Sequence, residues 1–507
     1  MTSSPAAATD SFDVIVIGGG PPGENAASYA VDGSGLTAAL VERELVGGEC
    51  SYWACMPSKA MLRPLEALDA AAHVDGAAQA VTGELDRAAV LARRDGFVHG
   101  HDDSSQVQWL DSTGITLVRG HGRLAGEKAV AVELADGTTR TLTARHAVVL
   151  ATGSGAALPP IEGLRDAAPW TSRDVTNVHE VPRRVVVLGG GVVACESATW
   201  LRGLGAAQVT ILERGERLLG NQEPFAGDLV AQRFADVGVD VRTGTAVTAV
   251  RRGPVSRTDE GYPRGAEVTV VTAAGEFVAD EVVAALGRTA NSTDLGLDTV
   301  GLDPGEHHND AGKTRSGYVV TDDTMTVSGV DGHWLYAVGD VTGRALLTHQ
   351  GKYQARVAGD VIAARAAGTP LTGSRFFATA DHGQVPQVTF TSPQVASVGL
   401  TEATASAEAS SAGRPVATVE YDLGSVAGAS LVRDGYTGRA KLVIDPVREV
   451  LLGATFVGYD VAELLHSATV AVVGGVDLET LWHAVPAYPT VSEIWLRLLE
   501  TWRAQRA

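Results

Sequence analysis

The sequence predicts an α/β protein with two Rossmann-like nucleotide-binding domains and a C-terminal α+β domain. Three observations carry this. An apolar, β-branched run that enters a glycine-rich turn and then an Ala-rich helix occurs twice, beginning at Phe12 and at Arg184. Each copy is followed by a second apolar run that ends on a glutamate, Glu42 in one and Glu213 in the other. From about residue 384 onward the pattern changes to alternating strands with a helical C-terminus. The 507 residues are enough for two to four domains with ample core.

The elements follow in order. Phe12–Ile17 is continuous and β-branched, as a buried parallel strand is. It runs into Gly18-Gly19-Gly20-Pro21-Pro22-Gly23, a helix, and the strand Leu36–Val41 that ends at Glu42. In such a G-x-G-x-x-G turn the first glycine (Gly18) permits the tight turn. The second (Gly20) lets the backbone approach a pyrophosphate, and the third (Gly23) allows close helix–strand packing. Phosphates then meet the helix N-terminus, and the acid about 20 residues on meets a ribose 2′-OH. The second copy places Gly189, Gly191 and Ala194 at these positions, with Glu213 closing the strand Gln208–Leu212. Between the copies, residues 58–111 read as helical and 116–150 as short strands with an Asp136-Gly137 hairpin turn. Residues 251–266 read as a charged hairpin loop, and Glu402–Gly413 as an exposed helix or loop.

Composition narrows the function classes. Forty basic against 60 acidic residues leave a net charge of −20 and a pI near 5.1. That balance argues against nucleic-acid partners and against an anionic membrane surface. No apolar run approaches the about 18 residues of a transmembrane helix. The first ten residues show no basic segment followed by an apolar core, so no signal peptide is expected. A cytoplasmic protein acting on a small-molecule substrate is the expectation, with no metal site.

Three cysteines occur in the chain, and two of them are Cys50 and Cys55, in Gly47-Gly48-Glu49-Cys50-Ser51-Tyr52-Trp53-Ala54-Cys55-Met56-Pro57-Ser58-Lys59. A Cys-x4-Cys pair can close a small disulfide loop whose opening stores two electrons. The alternatives are a structural disulfide or two packed thiols. Cys195 lies inside the second fingerprint helix, where a small inert side chain is expected.

Together, and in this order, the motifs resemble the class I pyridine nucleotide–disulfide oxidoreductases, the family of dihydrolipoamide dehydrogenase, glutathione reductase and mercuric reductase. The resemblance spans nearly the whole chain. Its marks are the first fingerprint with Glu42, Cys50-x4-Cys55-x-Pro57-Ser58-Lys59, and Ala151-Thr152-Gly153. They continue with the second fingerprint and Glu196, Ala285-Leu286-Gly287-Arg288-Thr289-Ala290-Asn291, Tyr336-Ala337-Val338-Gly339-Asp340, and Tyr488-Pro489-Thr490-Val491-Ser492-Glu493.

That resemblance implies FAD and NAD(P)H as cofactors and a homodimer with an active site shared between subunits. It divides the chain into an FAD domain (1–160 and 287–380), an NAD(P) domain (161–286) and a dimerisation domain (381–507). Gly18, Gly20, Gly23 and Glu42 would hold the ADP half of FAD, and Asp340 its ribityl side. Gly122, Thr152, Gly153 and Thr348 fall at further FAD-contacting positions. Lys59 would lie near the flavin and pair with Glu196. Gly189, Gly191, Ala194, Glu213, Arg214, Gly287 and Arg288 complete the cofactor set. By the same analogy Cys55 is the thiol nearest the flavin and Cys50 attacks substrate. A nearby lysine and a helix N-terminus would favour the thiolate.

Departures bear on substrate. Tyr488 stands where the family commonly has the histidine that works with Glu493 as acid/base for thiol substrates, and a phenol of pKa about 10 is a poor base at neutral pH. Mercuric reductase resembles the chain in this tyrosine, but the C-terminus here lacks a cysteine pair. His483 lies five residues upstream of Tyr488 and reads as a packed or surface histidine. The insert Ser51-Tyr52-Trp53-Ala54 is bulkier than usual, either lining the disulfide face or filling core. Glu213 favours NADH, whereas Arg214, Arg217 and Ala194 also fit NADPH. The leading expectation is a disulfide or dithiol substrate. The alternatives are a diaphorase-like reductase of quinones or metal ions, and a flavin-bearing redox sensor.

Overall fold

Strand β1 (Ser11–Ile17) lies at the centre of a seven-stranded sheet because its apolar side chains are buried on both faces. The computed structural model describes residues 10–258, 261–303 and 317–506. The first nine residues, where the absence of a signal peptide was read, lie outside the described residues. By its own contacts the chain divides into two compact units. The first comprises residues 1–55, 98–155 and 288–381, and the second 56–97, 156–287 and 382–507.

In the first unit β2 (Ala38–Glu42) and β3 (Ile115–Arg119) extend the sheet in parallel on one side of β1. β4 (His121–Leu124), β5 (Ala129–Glu133) and β6 (Thr139–Leu150) follow on the other, in the order β3-β2-β1-β6-β5-β4. The strand Leu335–Ala337 pairs with the far end of β6. Asp136 shapes the β5–β6 turn by accepting from Thr138 N–H at 2.9 Å, where a hairpin was expected. Helix α1 (Pro21–Val31) packs along the helix Thr348–Ala366: a Cβ at Gly359 would come 2.5 Å from Tyr29 Cβ, so only glycine admits this approach.

Cys50 lies on the short helix α2 (Gly48–Tyr52) and Cys55 at the start of the longer α3 (Cys55–Ala72). In the second unit β7 (Arg184–Leu188), α4 (Val192–Gly203), β8 (Gln208–Leu212) and β9 (Val239–Arg242) repeat the Rossmann pattern. With β10 (Glu281–Ala284) they form a parallel sheet in the order β9-β8-β7-β10. Residues 255–257 and 263–265 pair as the expected hairpin, and Glu402–Ala412 is helical. A five-stranded antiparallel sheet, from Pro386–Thr389 to Val450–Gly458, backs onto the C-terminal helix Ile494–Arg506 through Phe456, Trp495 and Leu498. No helix among the described residues is long and apolar enough to cross a membrane.

Candidate active site

The two fingerprints reproduce one another atom by atom. Gly18 has φ +106° and a Cβ there would lie 2.4 Å from Ala151 O; Gly189 has φ +101° and meets Ala285 O at the same distance. Neither position admits a side chain. At the second glycine the space is open: a Cβ on Gly20 would meet only Pro22 at 4.0 Å, and one on Gly191 would meet nothing within 4 Å. At the third position Gly23 presses against Gly18 O, and Ala194 is wholly buried. A closed turn, an open second position and a tight third one fit a dinucleotide phosphate over each helix N-terminus.

Glu42 stands at the first turn, where its Oε2 accepts from Gly19 N–H at 2.6 Å and its Oε1 from Glu44 N–H at 2.7 Å. Glu213 lies against Gly190 in the same way and accepts from Gly215 N–H at 2.5 Å. Those residues fit FAD and NAD(P): the carboxylates sit where a ribose would be met.

Further positions expected to serve the flavin fall in the first unit. Asp340 accepts from Ser154 O–H at 2.5 Å and has Arg288 Nε at 3.4 Å. Arg288 donates in turn to Ser154 Oγ and Ser154 O, each at 2.6 Å. Ser154 is 2% exposed and was missed, although it directly follows the quoted Ala-Thr-Gly. Thr152 donates its hydroxyl to Asn291 O, and Gly153 O accepts from Asn291 N–H. Gly122 sits in β4 against Val41 and Ile17, where a Cβ would come within 2.9 Å. Gly287 has φ +115° and its carbonyl accepts from Ala157 N–H in the second unit.

The cysteine pair sits at a corner that only glycines allow. Gly47 and Gly48 both have positive φ, and Gly47 N–H donates to Gly19 O at 2.7 Å. Cys50 lies within α2, and Cys55 begins α3, where the helix dipole favours negative charge on sulfur. The two sulfurs are thiols in this structure. Cys55 Sγ lies 3.5 Å from the hydroxyl of Thr348, the first residue of its helix. A hydrogen bond to Cys55, burial and the charge of Cys55 push the Cys50 thiol far up, against Thr348 and Lys352. The arrangement makes Cys50 hold its proton tightly. In the insert, Tyr52 is core: it is buried and donates to Val46 O at 3.1 Å. Trp53 is half-buried and stacks on His101 at 5.6 Å, a partner the sequence did not disclose.

One turn along α3 from Cys55, Lys59 Nζ is 2.7 Å from Glu196 Oε2. Glu196 is buried, its Oε1 accepts from Phe390 N–H at 2.9 Å, and Lys59 also stands over the Phe390 ring. Phe390 is 194 residues from Glu196, a pairing that no local pattern signals. A cavity of about 1160 Å³ runs beside α3, lined by Met56, Lys59, Leu62, Phe97 and Phe390 among others. Cys195 is wholly buried and donates to Gly190 O at 3.5 Å, and burial pushes its thiol up, as an inert core cysteine requires.

At the C-terminal segment the two expected acid/base residues diverge. Tyr488 is 75% exposed. Glu493 is buried and accepts from Arg497 at 2.6 Å, while its Oε2 has no hydrogen-bond partner among the described residues. No hydrogen bond joins Tyr488 to Glu493 among the described residues, so within one chain Glu493 does not orient the phenol. His483 is exposed, 3.8 Å from Glu479. Arg214 and Arg217 follow Glu213 on the same turn.

Comparison with known proteins agrees with these motifs. Residues 12–360 match the pyridine nucleotide-disulphide oxidoreductase family model, and residues 385–498 match that family's dimerisation domain. The chain is 30% identical over 490 residues to the mercuric reductase of Staphylococcus aureus, covering 95% of this chain and 81% of that protein. It is 32% identical over 498 residues to the dihydrolipoyl dehydrogenase of Mycobacterium tuberculosis, covering 95% and 96%. Among solved structures, the Cu(II) complex of the HOCl-induced flavoprotein disulfide reductase RclA from Escherichia coli superposes with a TM-score of 0.78. That match has 21% identity and covers 97% of this chain and 99% of that one.

Proposed function

The chain belongs to the pyridine nucleotide-disulphide oxidoreductase family, and from that premise we propose that its Cys50–Cys55 pair delivers electrons to a disulfide or dithiol substrate. Members of the family are oxidoreductases that use FAD and NAD(P)H, and the bound cofactors supply hydride acceptance and two-electron transfer to the cysteine pair. The observation that carries the reading is the division of labour within the pair. Cys55 stands at a helix N-terminus beside Thr348, where the helix dipole favours a sulfur anion, and Cys50 holds its proton tightly. Cys50 then exchanges with substrate sulfur: its S–S bond to one substrate sulfur forms as the substrate's own S–S bond breaks, and the proton Cys50 gives up ends on the sulfur that leaves. Lys59 and Glu196 hold α3 in register, and Asp340, Ser154 and Arg288 form a polar clamp at the ribityl position. The dimerisation-domain match supports a homodimer in which Tyr488 and Glu493 of one chain serve the other's cysteines.

A second reading, reduction of a quinone or a metal ion, draws support from Tyr488. It stands exposed and without a hydrogen bond to Glu493 among the described residues, and a phenol is a poor base for a thiol. One experiment separates the two. NAD(P)H consumption is followed with lipoamide, glutathione disulfide, a benzoquinone and Cu(II), using wild type and Cys50→Ser. The first reading expects disulfide turnover that disappears in Cys50→Ser. Turnover of quinone or metal alone, unaffected by Cys50→Ser, overturns it.

A further inference from the structure

The cavity of about 1160 Å³ beside α3 is lined wholly by residues of the second unit and is large enough for a small-molecule ligand. Its apolar lining includes Met56, Leu62, Leu65, Phe97 and Phe390, and the large side chains of Met56 and Phe97 are exposed. Three arginines line the same space. Arg87 opens the helix Arg87–Phe97, the end at which a helix dipole disfavours a cation. Its guanidinium lies against the backbone of Gly205, where a Cβ would come 2.2 Å from Arg87 Nη2. Arg202, in the last turn of α4, is half-buried and donates to backbone carbonyls, from Nε to Val237 O at 2.8 Å and from Nη1 to Ala206 O at 2.9 Å. Both guanidinium groups therefore come to the two neighbours Gly205 and Ala206. Arg93 stands over the Phe97 ring, its Cζ 4.8 Å from the centroid.

Among the described residues, none of these three arginines forms an ion pair with a carboxylate. The other cations of the lining are all paired: Lys59 with Glu196, Arg63 with Glu66 and Arg233 with Asp69, each at 2.7 Å. In a chain of net charge −20 acids are abundant, so three arginines left unneutralised in one cavity form a local exception. Carbonyl partners satisfy the N–H groups of Arg202 but leave its charge available to an anion. Glu84, Asp460 and Glu463 also line the cavity and join no ion pair among the described residues. They repel additional negative charge, which restricts a ligand to one anionic group on an uncharged body.

We propose that this cavity binds an aromatic carboxylate, at a site to which neither the fingerprint glycines nor the cysteine pair contribute. The carboxylate accepts from Arg87 and Arg202 beside Gly205. The ring system lies along Phe97 and Phe390 and takes the exposed apolar surface of Met56 and Phe97 out of water. A flat body suits this lining, because guanidinium and phenyl planes stack on planar partners. A rigid body also loses less freedom on binding than a flexible acyl chain. Arg87, Arg93, Arg202 and Phe97 take no part in the redox function proposed above, so this binding stands independently of it.

The test is isothermal titration calorimetry on the holoprotein with NAD⁺ at saturation, so that an aromatic anion finds the second fingerprint turn already filled. The probes are 2-naphthoate and 2-naphthalenemethanol, which share a ring system and differ in charge. Wild type should bind 2-naphthoate about tenfold more tightly than the alcohol, as expected of charge-assisted hydrogen bonds. Arg87→Gln should remove that preference, and Phe97→Ala should weaken both probes. Arg87 and Phe97 are both exposed, so neither change disturbs the core. Absence of 2-naphthoate binding, equal affinity of wild type for the two probes, a preference that survives Arg87→Gln, or affinities indifferent to Phe97→Ala would overturn the proposal.

Discussion

Replacing Lys59 by methionine should destabilise the protein by about 2 kcal/mol, and the structure gives the reason. Glu196 is 4% exposed and Lys59 35%, with 2.7 Å between Nζ and Oε2. Removing one member of a fully buried pair costs about 3–5 kcal/mol, because the other charge is stranded. A solvent-exposed pair is worth about 0.2–1 kcal/mol. Here water screens the ammonium while the carboxylate stays dry, so the expected loss lies between these limits. The contact of Lys59 with the Phe390 ring, 4.9 Å from its centroid, adds a smaller part that methionine retains by packing. The decisive comparison is with Glu196→Gln. The amide still accepts from Phe390 N–H, as Oε1 does now at 2.9 Å, but carries no charge to strand. Glu196→Gln in the Lys59→Met background should therefore recover about 1 kcal/mol or more, whereas the two losses would add if the residues were independent. Urea unfolding of the holoprotein, followed by tryptophan fluorescence, measures all four corners of the cycle. Equal midpoints for wild type and Lys59→Met, or strict additivity, would refute the stranded-carboxylate reasoning.

Glu24 should make stability fall as pH rises. Its folded value of about 7 lies above its ordinary value of 4.5, so the folded state binds more protons between the two and stability is lost across that window. Glu24→Gln should remove the slope and gain at most about 3 kcal/mol at pH 8, at 1.36 kcal/mol per unit; an unchanged pH profile of unfolding contradicts this. Asp13 has the opposite sign. Its hydrogen bond with Arg145 holds it well below the usual carboxylate range, so Arg145→Ala should cost stability in full above about pH 4, with the loss shrinking progressively as pH falls below that, as acid-unfolding curves of the two proteins would show. Partial reduction should produce a long-wavelength absorbance band that Cys55→Ser abolishes and Cys50→Ser retains; the reverse pattern would exchange the two assigned roles. Coenzyme use should be mixed, because Glu213 favours a ribose and Arg214 and Arg217 a phosphate; a kcat/KM ratio beyond about 1,000-fold, or roughly 4 kcal/mol, refutes it.

What the sequence disclosed and what it hid divide along the range of the interactions. The fingerprints were legible because each glycine role is local: the clash of Gly18 with Ala151 O and the open face of Gly20 belong to one strand–turn–helix unit. The helix expected from Ser58 begins three residues earlier, at Cys55, because Pro57 suits a first turn. Lys59 and Glu196 were paired only through the family pattern, and the backbone group that completes them, Phe390 N–H, has no sequence signal. The aromatic insert was undecided because Tyr52 and Trp53 are neighbours with opposite fates. Tyr52 finds Val46 O and is buried, while Trp53 meets His101 across 48 residues of chain and stays half-exposed. Glu24 was passed over for a subtler reason. It occupies an unremarked place just after the third glycine, and an acid in a first helical turn is an ordinary capping preference. Its consequence arises from burial, in a turn against which Gly48 and Gly351 bring two other helix starts. Fingerprint glycines announce where a dinucleotide is held. The charges that tune the cysteines depend on which helix ends meet, and that is a property of the fold.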